Sequence, residues 1–475
     1  MKRIDPNRLL IEKSGGMKVD ALIFADEQLA NEIESGAMDQ LRDAAHLPGV
    51  FRAIGTPDMH FGYGVPIGVV VALEDHIVPA AVGYDINCGM RVITTPLNAA
   101  DVNIDELAGS IARDIPLGEG KTNVGLPRHK FEVILNKGVK GLAEIAGGEA
   151  GRVWEARDPA REKEDIECIE EHGSMAGDCR AVSDFATNRG IRQLATLGGG
   201  NHFLELQIVE EVRNTEIATA FGLREKQLVV MLHSGSRGLG HQVCDEYSKR
   251  AKKISGDRAP SRDLCFLSVH DKAGQDYISA MNAAANFAFV NRQLMTELIR
   301  KNLRHHCGDI PLPIIYDVPH NMAKRETIEG RSLWVHRKGA TRAFPPSKMQ
   351  GTRFEKTGQP VLIPGSMGTP SYVLVGREES AESLYSVNHG AGRCMSRTAA
   401  LGKVRKGKVL KPGRISDEDF KKSMEGIKLI CADRHMIKEE APQAYKDIDH
   451  VVRIVVDAGL AEVVAKLRPL AVLKG

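Results

Sequence analysis

Apolar runs of strand length alternate along this chain with stretches of helical periodicity, and that interleaving limits the possible folds more than any other feature. Strand-like runs occupy residues 65–73, 203–209, 227–232, 313–318 and 371–375. Helical spacing shows at Leu29, Ile33 and Leu41, at Ile104, Leu107 and Ile111, and over residues 273–304, where an alanine-rich middle suits tight burial. Basic residues over 300–306 complement a helix C-terminus there. Such a mixture indicates an α/β or α+β protein and excludes all-α and all-β architectures. The 475 residues would fill roughly three ordinary domains or one unusually large one. No fixed-period repeat, long Pro/Ser linker or clear boundary divides them. The charged stretch 154–171 reads as a surface insertion.

Several apolar runs adjoin a dense polar cluster rich in glycine. These are Gly83-Tyr84-Asp85-Ile86-Asn87-Cys88-Gly89, Gly198-Gly199-Gly200-Asn201-His202, His233-Ser234-Gly235-Ser236-Arg237, Asp317-Val318-Pro319-His320-Asn321 and Asn388-His389-Gly390-Ala391-Gly392-Arg393. Strand ends with glycines that let backbone approach a ligand are where many α/β enzymes assemble a site. The three-residue spacing of Asp85 and Cys88 can aim a carboxylate and a thiolate at one point. Each of His202, His233 and His320 alone reads as an ordinary core or surface histidine. Three such histidines with Asp85 and Cys88 favour a metal site, and the ligand types by themselves suit zinc better than manganese.

Around His389 the pattern differs. Gly390 and Gly392 would let phosphate approach backbone N–H groups, and Arg393 reads as the start of a helix running to Ala400, a phosphate seat at a helix N-terminus. His389 at its mouth could be a ligand, a general acid or base, or a nucleophile. Two tempting matches fail. Gly120-Lys121-Thr122 lacks the glycine a phosphate loop needs at position 115, and Gly198-Gly199-Gly200 precedes a strand and is no dinucleotide fingerprint.

A net charge of +2 gives no argument for nucleic acid by itself. The acid-free run 402–414, with Lys403, Arg405, Lys406, Lys408, Lys411 and Arg414, could track an RNA backbone or form a solvated loop. The N-terminus has no signal-peptide core, the longest apolar stretch is too short to span a bilayer, and the eight scattered cysteines form no C-x-x-C pair. A cytoplasmic protein with reduced thiols is expected.

Taken in order, these segments resemble the RtcB-type RNA-splicing ligases. The resemblance begins at Pro57-Asp58-Met59-His60 with Gly64 and takes in the clusters above. It continues through His336-Arg337-Lys338-Gly339-Ala340-Thr341-Arg342, Pro364-Gly365-Ser366-Met367-Gly368 and the terminal Lys474-Gly475. It implies one large α+β catalytic domain over residues 1–475, with mixed β-sheets around a cleft. It implies two Mn2+ ions bridged by Cys88, one held by Asp85 and His202 and the other by His233 and His320, with GTP as the second cofactor. His389 would be the nucleophile that carries GMP, assisted by Asn201 and Arg393 on phosphate oxygens. Nucleotide would be bound by Asn201, Phe203, Glu205, His320, Asn321, Pro364, Gly365, Ser366, Met367, Ser371, the run from His389 through Gly390, Ala391, Gly392 and Arg393, Tyr445 and Lys474. Arg237, Lys338 and Arg397 would contact RNA. The implied reaction joins RNA 3′-phosphate or 2′,3′-cyclic phosphate ends to 5′-hydroxyl ends, in tRNA splicing or RNA repair, with an archease-type activator as an expected partner. Gly199 departs from the serine many relatives carry. Two other readings compete: a metal-dependent phosphodiesterase or phosphatase without a nucleotidyl intermediate, and a non-catalytic RNA-binding protein using the 402–414 run.

Overall fold

The computed structural model describes residues 1–145, 151–405, 408–434 and 436–475, with backbone only at 403–405, 408, 409 and 411. Its framework is two large sheets, each mixed because one parallel pair joins an otherwise antiparallel ladder. The first has seven strands in the spatial order Lys2–Asp5, Arg8–Ile11, Ala21–Phe24, Val50–His60, Ile67–Leu73, Arg331–Lys338 and Asn321–Ile328. The second runs Ile314–Pro319, Gly89–Asn98, Gln227–Ser234, Phe203–Val212, Ala461–Lys474, Ser371–Gly376 and Pro360–Ile363, with Lys428–Cys431 added beside Ala461–Lys474. Helices and sheets intermix as an α+β fold.

Strand direction in the second sheet gathers five chain segments at one edge. Neighbouring strands alternate in direction, so the starts of two strands meet the ends of the next. Gly89, a start, pairs with Ser234 and Pro319, both ends. Phe203, a start, pairs with His233 and with Lys474, the last residue of its strand. The chain passes directly from this sheet to the other at His320, between Pro319 and Asn321. A short ladder of Ala340–Arg342 with Ser386–Asn388 then places His389 beside the same edge.

Behind this edge lies the helix Lys272–Cys307, 36 residues long. Its turns from 280 to 300 are buried on every face, as expected of a helix inside a large protein. Ala283, Ala284, Ala285 and Ala288 keep that part thin enough for close neighbours. The same stretch carries Arg292, Glu297 and Arg300, all fully buried, and buried charges require partners. Arg300 finds Asp165, with Nη1 and Nη2 donating to its two oxygens at 2.6 and 2.8 Å.

That pair corrects one expectation. The stretch 154–171 is no surface insertion: it contains the helix Pro159–Ile166, and Glu162, Asp165 and Glu170 are buried. Its buried acids are paired, Glu162 with Arg157, Asp165 with Arg300 and Glu170 with Lys324. Three smaller differences also have local causes. The periodicity of Leu29, Ile33 and Leu41 is split, because Ile33 is extended (ψ 123°) between the helices Glu27–Glu32 and Ser35–Ala44. The run 65–73 becomes strand only from Ile67. The basic run 402–414 forms a hairpin, Gly402–Arg405 against Lys408–Pro412, with Lys406 outside the described residues. Among the described residues no helix is long and apolar enough to cross a membrane.

Asp165→Ala separates the two views of 154–171. Leaving the Arg300 guanidinium without its bidentate carboxylate should cost about 3 kcal/mol, read as a lower midpoint of denaturant unfolding. A solvated insertion would move that midpoint by less than about 0.5 kcal/mol.

Candidate active site

The gathered strand ends bring five ligand-type side chains together around one sulfur. The Sγ of Cys88 lies 3.2 Å from Nε2 of His202 and 3.1 Å from Nε2 of His233. His233 Nε2 is 3.2 Å from His320 Nε2, and His202 Nε2 is 2.7 Å from Oδ2 of Asp85. The atoms fall into two groups that share Cys88. One is Asp85, Cys88 and His202, the other Cys88, His233 and His320, with the donor atoms of each group within 4.8 Å of one another.

The electrostatics of the cluster suit a cation. Burial holds His233 and His320 well below the usual imidazole range, so both are neutral near pH 7. His233 Nδ1 lies 3.1 Å from the Asn201 carbonyl, and a proton donated there leaves the Nε2 lone pair facing the cluster. Nδ1 of His202 and of His320 is buried without a hydrogen-bond partner among the described residues. Burial, then the Asp85 carboxylate, push the Cys88 thiol well above its ordinary value, so only a nearby cation would draw off its proton. Asp85 is itself held low: burial opposes its ionisation, but His202 and Arg237 outweigh that. Its Oδ1 also accepts from the Ser236 backbone N–H at 3.0 Å. Converging imidazole lone pairs, a shared sulfur and an ionised carboxylate fit a pair of divalent ions.

Above the cluster stands His389, its ring 4.8 Å from that of His320. Its Nδ1 is 2.8 Å from Oδ2 of Asp58, a fully buried carboxylate that also accepts from Thr56 Oγ1 at 2.6 Å. Burial would raise the Asp58 pKa, but the His389 contact overcomes this and keeps it below the usual range. Lys446 Nζ donates to the carbonyls of Pro57 and Met59, on either side of Asp58. Gly392, at φ +75°, passes so close to the Asp58 carbonyl that a Cβ would collide with it. The helix expected from Arg393 does not start there. Residues 389–395 form a loop, and the only helical turn, Arg397–Leu401, is capped by Ser396. Glycine conformations in that loop win over helix propensity, so His389 sits at no helix N-terminus.

A cavity of about 470 Å3 is lined by residues from both the cluster and the His389 loop. Its lining includes Asp85, Cys88, Asn201, Phe203, Glu205, His233, His320 and Asn321, then Pro364, Gly365, Ser366 and Met367. It also includes Lys338, His389, Gly390, Ala391, Gly392, Arg393, Arg397, Glu440, Tyr445 and Lys474. Phe203 packs edge-on against His233, and the Lys474 ammonium lies over the Phe203 ring, 6.0 Å from its centroid. Lys474 is buried as the end of a central strand, 3.6 Å from Glu440. Burial raises Glu205 to about 8 against the opposing pull of Gln207 and Lys474. Gln207 Nε2 donates to Glu205 and to Ser371 Oγ, so Ser371 backs the cavity wall through Gln207.

The basic candidates are placed differently from one another. Arg393 is committed inside, donating to Glu439 and Met395 carbonyls, to Glu440 and to Tyr445. Arg237 donates to Thr196 and to the Gly118 carbonyl. Lys338 is buried, donates to the carbonyls of Tyr63 and Ala80, and is brought down to about 8 by that burial. Arg397 is half-exposed at the rim, 3.4 Å from Glu440. Sequence reasoning assigned no role to Asp58, Gln207, Glu440 or Lys446. Asp58 lies inside the quoted Pro57-Asp58-Met59-His60 motif; the other three carry no local signal.

Comparison with known proteins places the chain among relatives. The profile of a family described as tRNA-splicing ligase RtcB matches residues 40–475. The tRNA-splicing ligase RtcB of Thermococcus kodakarensis is 43% identical, the alignment covering 100% of this chain and 99% of the relative. That of Pyrobaculum aerophilum is 41% identical, covering 96% and 95%. The RNA-splicing ligase RtcB homolog 1 of Entamoeba dispar is 39% identical, covering 99% and 90%.

The protonation of Glu205 gives a stability test. Folded Glu205 keeps its proton up to about 8, whereas an unfolded glutamate loses it near about 4.3. The folded state therefore binds the extra proton between those values, and stability falls as pH rises through that window. Glu205→Gln removes this dependence. Its unfolding midpoint should match the parent's near about pH 4, exceed it increasingly toward neutral pH, and level off above about pH 8. A difference that does not vary with pH would mean that folded Glu205 is ionised throughout.

Proposed function

The chain belongs to the RtcB family of tRNA-splicing ligases, and from that premise we propose that it is an RNA ligase that joins 3′-phosphate or 2′,3′-cyclic phosphate ends to 5′-hydroxyl ends, using GTP and two Mn2+ ions. The observation that carries this reading is one cavity holding both a thiol shared by two groups of ligand-type side chains, Cys88, and a histidine, His389, backed by a buried carboxylate. A phosphatase needs the first of these; the second, beside a nucleotide-sized cavity, suits transfer of a nucleotidyl group.

Asp85, Cys88 and His202 would hold one ion and Cys88, His233 and His320 the other. When bound, such ions supply positive charge to phosphate oxygens in the transition state. The chain's own groups do the rest. Asp58 accepts the Nδ1 proton of His389, which fixes the tautomer and leaves Nε2 free as a nucleophile. Nε2 attacks the α-phosphorus of GTP, the bond to pyrophosphate breaks, and Asp58 stabilises the imidazolium character of the histidinyl–GMP. An oxygen of the RNA 3′-phosphate then displaces His389 from that phosphorus, giving a pyrophosphate-linked RNA–GMP end. Attack of the 5′-hydroxyl oxygen on the RNA phosphorus expels GMP and closes the phosphodiester. A cyclic end is first opened by water. Asn201 lies beside both His233 and the cavity and contacts phosphate oxygens. Guanine occupies the end formed by Phe203, Glu205, Tyr445 and Lys474, where a protonated Glu205 is a hydrogen-bond donor as well as an acceptor.

Two assays separate these roles. His389→Ala should take up no label from α-labelled GTP, yet still seal RNA that already carries pyrophosphate-linked GMP, because the last step does not use the nucleophile. His320→Ala should fail in both. Asp58→Asn should slow guanylylation by roughly 10²–10⁴-fold while sparing the sealing step. Incorporation of label by His389→Ala at the parental rate would defeat the proposal, and label that is alkali-labile but acid-stable would exclude a histidine phosphoramidate.

A further inference from the structure

The five ligand-type side chains come from segments far apart in sequence, and one fully buried guanidinium touches three of those segments. Arg292, in the long helix, uses every N–H it has. Nε and Nη2 donate to the two oxygens of Asp317 at 2.8 and 2.7 Å. Nη1 donates to the carbonyls of Asn87 and Ser234, both at 2.8 Å. Nη2 also donates to Asn87 Oδ1 at 3.0 Å. Asn87 precedes Cys88, Ser234 follows His233, and Asp317 lies three residues before His320 on the same strand.

We propose that Arg292 is a positioning residue for the two-ion cluster, setting the spacing of Cys88, His233 and His320 through the backbone beside each. This rests on the reading of that cluster as a metal site.

Local geometry around Arg292 is arranged for this contact. Asn87 adopts a left-handed conformation, φ +54°, tolerated by asparagine more than by most residues. Its amide is held at both ends, Oδ1 by Arg292 and Nδ2 by donation to the Ala285 carbonyl at 2.8 Å. The backbone N–H of Asn87 donates to the Asn321 carbonyl, and that of His320 to the Cys88 carbonyl, both at 2.8 Å. Gly89 lets the guanidinium approach: a Cβ there would stand 3.1 Å from Arg292 Cζ and 2.8 Å from the Val318 carbonyl. Asp317 Oδ2, which accepts from Arg292 Nε, also accepts from Arg91 Nε at 2.8 Å. A planar group with five donors in fixed directions can hold three segments at set distances; a lysine ammonium cannot reproduce that fork.

A general role in core stability would look different, and the same helix supplies the control. Arg300, two turns further on, is equally buried and bonds Asp165, Glu297 and the Leu312 carbonyl, none of which adjoins the cluster. Binding of Mn2+ to the purified chain would be titrated by loss of the free-ion electron paramagnetic resonance signal. Co2+ would be added in parallel, and the thiolate-to-cobalt charge-transfer band recorded. Arg292→Lys should weaken Mn2+ binding by roughly 10–100-fold and shift or diminish the cobalt band. Arg300→Lys should lower the unfolding midpoint but leave both ion readouts at parental values. Should Arg292→Lys fail to fold, Asn87→Gly decides, because glycine keeps the positive φ and removes only the side-chain links; it should weaken Mn2+ binding about 10-fold with little change in midpoint. Parental affinity in the folded Arg292→Lys variant or in Asn87→Gly would overturn the proposal. So would an equal loss in Arg300→Lys. A parental protein with no cobalt band that Cys88→Ala abolishes would instead overturn the metal-site reading beneath it.

Discussion

Alternating strand direction in one sheet is the constraint on which this site depends. Cys88 and His202 precede strands, His233 and His320 close them, and antiparallel pairing brings all four to one edge. A parallel sheet would have sent starts and ends to opposite edges. Register is as important as direction. Because side chains alternate faces, a slip of one residue in the Gly89–Asn98 or Gln227–Ser234 strand would turn His233 away from Cys88. The sheet interior guards against that slip: Val92, Leu204, Val230 and Leu232 are fully buried.

Polar groups at that edge are stable because nearly every one has a partner chosen by the fold. Asp317 lies between Arg91 and Arg292, Asp58 between Thr56 and His389, and Glu440 among Tyr445, Arg393 and Lys474. Inside a low-dielectric interior such pairs hold geometry firmly, and unpaired members are costly. At the proposed ion positions the pattern differs: imidazole Nε2 atoms face one another and a buried thiol. An RNA ligase needs this contrast: a rigid frame, and a small region whose charge balance is completed by ions and phosphates.

Much of this was legible in the sequence, for reasons that are local. The strand runs and the long helix follow from periodicity within a few residues, and glycine-rich polar clusters mark where strands start or stop. What was not legible depends on contacts over long chain distances. Nothing near Asp58 announces a histidine 331 positions away. The charges of 154–171 suggest solvent until the buried arginines of the long helix are in place. The burial of Lys474 becomes visible only once the last strand is seen paired with Phe203–Val212 along its length. The helix expected at Arg393 failed because a loop whose glycine passes Asp58 at close range outweighs local helix preference.

Anomalous diffraction at the manganese absorption edge, from crystals of this chain equilibrated with Mn2+, tests the central claim most directly. Two ions sharing one thiolate should give two peaks flanking Cys88 Sγ, one also contacting Asp85 and His202, the other His233 and His320. A single peak, or two peaks neither of which touches the sulfur, would contradict it.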